Sequence, residues 1–106
     1  VITQVDCIPD HYSKDINGKI IAIDPKVLKP EFQRADRQLY YVTGGFGASA
    51  NSRGSAVFCT NLHTGKSTRY ERMDVMGEVK PERLPEWAKE KAQELLHKKR
   101  NKDKER

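Results

Sequence analysis

Two Cys-x₃-His pairs, Cys7 with His11 and Cys59 with His63, supply the ligand types of a tetrahedral zinc site. Zinc needs four donor atoms converging at about 2 Å. Cys59 and His63, however, run along a strand-like segment, where residues four apart stand roughly 13 Å from each other. Only a sharp backward turn would bring both to one ion. A buried Cys59 and an exposed turn residue His63 are expected, with no metal and no cofactor. A Cys–His nucleophile drawn from the same residues needs a base in contact and an electropositive setting. Neither is written in the neighbouring residues. Asp6, Asp10 and Asp15 lie among turn formers and read as solvated loop charges. No catalytic residue is assigned, and the chain is expected not to be an enzyme, because a domain this short hardly encloses a pocket.

The richer feature is a glycine-rich loop, Gly44-Gly45-Phe46-Gly47-Ala48-Ser49-Ala50-Asn51-Ser52-Arg53-Gly54-Ser55. Its first part matches the dinucleotide fingerprint G-x-G-x-x-G/A. That chemistry requires a helix opening at the loop, whose amides hold the pyrophosphate. This loop runs into a strand-like segment, so the match is rejected on context. A phosphate loop of the Walker kind fails too, since no Gly-Lys-Ser/Thr follows. What remains is either an ordinary long hairpin loop or a surface for a partner or ligand, built from Gly44, Gly45, Phe46, Gly47, Ser49, Asn51 and Arg53. Phe46 carries that second reading. A large aromatic between glycines gains no local packing and suits a contact anchor.

A second candidate surface is an arginine and aromatic face for nucleic acid, from Arg69, Tyr70 and Arg72 with Lys98, Lys99 and Arg100. The charge distribution limits it. The net charge is +5, but residues 1–96 hold 14 Lys and Arg against 13 Asp and Glu, a balance of +1. Residues 97–106 contribute the other +4. The body lacks the basic patch that nucleic-acid binding usually shows, and only the tail supports it.

These residues must be positioned by one domain, since 106 residues form a single modest core. Residues 1–96 are read as that domain and 97–106 as a basic, frayed C-terminal tail. No stretch reaches the roughly 20 apolar residues of a membrane span. Two cysteines are too few for a disulfide scaffold. A cytoplasmic protein with reduced thiols is expected, away from membranes.

Asn17-Gly18 predicts a two-residue hairpin turn pairing Tyr12–Ile16 with Lys19–Ile23. Ile2 and Val5 suit a short strand ended by Pro9. Asp24-Pro25 predicts one capped helical turn, and residues 25–37 an irregular, partly helical connection. Leu39–Thr43 and Ala56–Leu62 are apolar on both faces and read as central strands. His63-Thr64-Gly65-Lys66 predicts a tight turn with Gly65 left-handed. Lys66–Arg72 alternates wet and dry and belongs near an edge. Val75–Val79 suits a last short strand. Leu84, Trp87, Ala88, Ala92, Leu95 and Leu96 form an apolar stripe on a helix opened by Pro85. The fold class expected is α+β: a small, curled, mostly antiparallel sheet, even barrel-like, packed by a C-terminal amphipathic helix.

At Tyr41-Val42-Thr43-Gly44-Gly45-Phe46-Gly47, through Ala56-Val57-Phe58-Cys59-Thr60-Asn61-Leu62, and at Leu84-Pro85-Glu86-Trp87-Ala88, the chain resembles small uncharacterised domains encoded on conjugative transposons of Gram-positive bacteria. The resemblance spans about residues 19–92. It implies an intracellular accessory protein of a mobile genetic element, working on DNA or beside proteins that do. It brings no catalytic residue and no ligand. A non-enzymatic binding or assembly module is therefore the leading expectation, with a protein partner or self-association. Direct nucleic-acid binding is the alternative.

Overall fold

The computed structural model describes residues 1–9, 15–49 and 54–104, the last nine by their backbone alone. The fold is α+β. Six strands, β1 (Cys7–Pro9), β2 (Ile20–Ile23), β3 (Leu39–Gly44), β4 (Ala56–Asn61), β5 (Ser67–Glu71) and β6 (Val75–Val79), form one sheet in the order β1-β6-β2-β3-β4-β5. Every pairing is antiparallel. Two α-helices accompany it: the single turn α1 (Ala35–Gln38) and the long C-terminal α2 (Glu86–Lys104). Residues 97–104 thus continue α2.

The sheet must curl. Only Arg72–Asp74 separate β5 from β6, yet these strands stand four places apart in the sheet. Four flat spacings amount to roughly 19 Å. The four backbone steps from Glu71 to Val75 reach about 14 Å at most. Curling brings the end of β5 round to the start of β6. The Asp24 N–H donating to the Asp74 carbonyl at 2.8 Å fixes the link there. The sheet stays open, since no ladder joins β5 to β1.

Strand alternation sends side chains to two cores. The first holds Ile16, Ile21, Ile23, Tyr40, Val42, Ala48, Val57, Cys59 and Val75. The second, on the other face, holds Ile2, Cys7, Ala22, Leu39, Tyr41, Leu62, Met76, Val79 and Ala88, and Leu84, Trp87 and Leu95 pack against it. Helix α2 docks on this second face. Burial of both faces explains why Leu39–Val42 reads as a continuous apolar run.

Several local expectations hold. Asp24 caps the turn Pro25–Val27, its Oδ1 accepting from Lys26 N–H at 2.9 Å. Gly65 is left-handed at φ 75°. β5 is an edge strand. Others need correction. Ile2 and Val5 do not form a strand: Thr3 precedes a 3-10 turn, Gln4–Asp6, and the strand begins at Cys7. Asn17-Gly18 does turn, with Lys19 N–H on the Ile16 carbonyl at 3.1 Å. Yet β2 has β3 on one side and β6 on the other, which leaves no edge for Asp15 and Ile16 to pair along. Ile16 instead donates its N–H to the Ala48 carbonyl at 2.9 Å. Residues 10–14 themselves lie outside the described residues. Val75–Val79 is the last strand, as expected, and it lies between β1 and β2.

Candidate functional site

The glycine-rich loop leaves β3 by a backbone that only glycine suits. Gly45 has φ 103°, and a Cβ there would run into the Ala56 carbonyl oxygen. A Cβ on Gly47 would meet the Ser55 carbonyl. The loop then makes one 3-10 turn, Phe46–Ala48, and closes onto the first core. Gly47 and Ala48 are buried. The Gly47 carbonyl accepts from Arg72 Nη1 at 2.7 Å, and the Ala48 carbonyl accepts from Ile16 N–H. Gly44 and Ser49 are half-buried. Phe46, in the middle of this held segment, is 74 % exposed. Gly54 lies beneath it, since a Cβ on Gly54 would stand 2.7 Å from the Phe46 Cβ. Asn51 and Arg53 lie outside the described residues. Phe58, half-exposed, stands across the ladder from Gly44.

The arginine and aromatic residues do not share one face. Arg69 projects to the solvent side of β5 and pairs with Glu71 at 2.9 Å. The Ser55 hydroxyl and then Arg69 hold the Glu71 carboxyl below its usual range. Tyr70 points to the other face, its ring edge-on to Tyr40 at 5.3 Å and its hydroxyl 3.3 Å from that of Tyr40. Burial first, then this hydrogen bond, push the Tyr70 phenol upward. Arg72 is almost completely buried. Lys98, Lys99 and Arg100 sit on the last turns of α2.

The cysteines are separated by the sheet itself: Cys7 belongs to the core beneath α2 and Cys59 to the core beneath the loop. Burial pushes the Cys7 thiol up to about 11 and the Cys59 thiol up to about 12, so both are protonated at neutral pH. His63 is an exposed turn residue, stacked edge-on against Trp87 at 5.7 Å. Among the described residues no three His, Cys, Asp or Glu side chains gather as a metal site would require.

Two grooves flank α2. One, of about 240 Å³, is bordered by Ile20, Tyr41, Leu84 and Lys89. The other, of about 150 Å³, is bordered by His63, Lys91 and Glu94. In the first, Lys89 is the one charged residue on a largely apolar lining, and it faces Glu86 at 3.9 Å. In the second, Lys91 and Glu94 pair with each other at 3.7 Å.

Sequence reasoning missed two buried polar residues that fix the frame. Gln38 Oε1 accepts from Ile2 N–H at 2.9 Å, while its Nε2 donates to the carbonyls of Ile2 and Ile23. Asn61 Oδ1 accepts the amides of His63 and Thr64 at 2.8 Å and shapes that turn. Asn61 beside a Thr-Gly turn is a recognisable local signal. Gln38 has none, because its partners come from distant segments.

No family model, no curated protein and no solved structure matched the chain. No described helix is long and apolar enough to cross a membrane.

Proposed function

We propose that this chain is a non-enzymatic protein-binding module with Phe46 as its contact anchor, and that it serves as an accessory of a mobile genetic element, the setting its resemblance implies. The carrying observation is the contrast within three residues. Gly47 and Ala48 are buried and hydrogen-bonded into the fold, whereas the Phe46 ring stands in solvent. A large aromatic held on a fixed backbone loses little freedom on binding, which is the economy of a preorganised anchor. Described polar groups near the loop are engaged with one another: Arg72 with Gly47 in the interior, and Glu71 with Ser55 and Arg69 at the surface. That engagement supports binding over catalysis.

The paired test is Phe46→Ala, followed by thermal melting and by capture from the native host. We expect an unchanged fold and the loss of a partner that the parent chain retains. Unfolding with capture intact would make Phe46 a packing residue. For the nucleic-acid alternative, Tyr70 and Arg72 are turned inward, so its remaining support is the basic end of α2. Truncation after Leu96 should then remove the affinity and its salt dependence.

A further inference from the structure

We infer that β5 is the docking edge for a second copy of this chain, the two strands pairing antiparallel about Tyr70 so that two sheets become one. The ladder between β4 and β5 shows which groups face outward. Asn61 N–H donates to the Lys66 carbonyl at 2.9 Å, and Arg72 N–H donates to the Ser55 carbonyl at 2.8 Å. Antiparallel pairs alternate between bonded and non-bonded. Between those two bonds Thr68 and Tyr70 therefore turn toward β4, and Ser67, Arg69 and Glu71 turn away from it. Glu71 N–H is held by Asp74 Oδ2 at 3.2 Å. The N–H and C=O of Ser67 and Arg69 meet no described partner.

The two sheet edges differ in protection. β1 has three residues and ends in Pro9, as short, blunted edges do. β5 has five residues, no proline and a regular register with β4. Its charges choose the occupant. Pairing Arg69 against Arg69 of another copy would set like charges opposite each other. Moving the register so that Tyr70 faces Tyr70 sets Arg69 of each copy opposite Glu71 of the other. The two-fold symmetry makes that favourable pair twice. The two Arg69–Glu71 pairs, one within each chain, become two pairs between chains, and Glu71 N–H exchanges the Asp74 carboxylate for the Arg69 carbonyl of the second copy.

The inference does not rest on the Phe46 reading, and Phe46→Ala should leave this dimer intact. Sedimentation of the full chain across concentrations is the test. We expect a dimer that Arg69→Glu and Glu71→Arg each weaken by roughly tenfold or more, since either change opposes like charges twice. An equimolar mixture of the two variants should dimerise as the parent does, because each supplies the charge the other lacks. In the unaltered chain, amide exchange at Arg69, which lies opposite Glu71 of the second copy, should slow with concentration while Thr68 and Tyr70 stay constant. A monomer at all concentrations overturns the inference. So does a dimer that ignores these substitutions, or one without protection at Arg69.

Discussion

The Arg72 guanidinium reaches from the end of β5 to the carbonyl of Gly47, 25 residues away in sequence, at 2.7 Å and out of contact with solvent. A buried hydrogen bond from a charged donor contributes more than a neutral one, and removing the donor leaves a buried carbonyl unpaired. Arg72→Ala should cost roughly 2–3 kcal/mol in urea denaturation. It should also release the loop, visible as faster amide exchange at Ile16 and Ala48. A cost below about 0.5 kcal/mol, the level of an ordinary surface change, would mean that the glycines and the Ile16–Ala48 hydrogen bond hold the loop without Arg72.

Gln38 tests the other end of the chain. It is fully buried and holds Ile2 with two hydrogen bonds and Ile23 with a third. Gln38→Leu keeps the bulk and orphans those backbone groups. We expect a loss of roughly 2–4 kcal/mol, from more than one buried group left unsatisfied. The Ile2 amide should lose its exchange protection before the sheet does.

What the sequence disclosed follows from the range of the forces involved. Asp24-Pro25, Gly65 and the apolar stripe ahead of Leu95 depend on neighbours within a turn, and they fold as read. The apolar runs of β3 and β4 are legible because both faces of each are buried. The position of β6 between β1 and β2 is not, since strand order is decided by curling of the whole sheet. Arg72 read as a surface charge for the same reason: its carbonyl partner is supplied by a distant loop. In that loop, Phe46 is exposed, as its glycine neighbours suggested, whereas the burial of Gly47 and Ala48 had no local signature.

Trp87, on the apolar stripe of α2, is half-buried, packed on the second core and edge-on to His63. Emptying a fully buried large aromatic site costs about 3–5 kcal/mol. Trp87→Ala should therefore cost less, roughly 2–3 kcal/mol, measured by chemical denaturation. Ala88, fully buried one position later, is the tighter contact of α2. Ala88→Leu should destabilise the fold by overpacking, by roughly 1–3 kcal/mol.

The thiols predict an alkaline limit. Burial raises both in the folded state, from an ordinary value of 9.0 to about 11 for Cys7 and about 12 for Cys59. The unfolded chain loses these protons first as pH rises. Their contribution is complete below pH 9 and is lost progressively as pH rises toward 11 and 12. Tyr70, also raised, adds in the same direction. Melting temperature should fall steeply above pH 9, and Cys59→Val should flatten that fall. In native protein at pH 8 both thiols should react slowly with a disulfide reagent and quickly once urea unfolds the chain.

The most direct measurement for the central claim replaces Phe46 with a photoreactive phenylalanine analogue, in the native host, with the same analogue at exposed Met73 as the control. The account predicts one defined crosslinked protein from position 46, absent from the Met73 control and unaffected by breaking the β5 edge with Arg69→Glu. No crosslink at position 46, in a chain that melts as the parent does, would contradict the binding role of the loop.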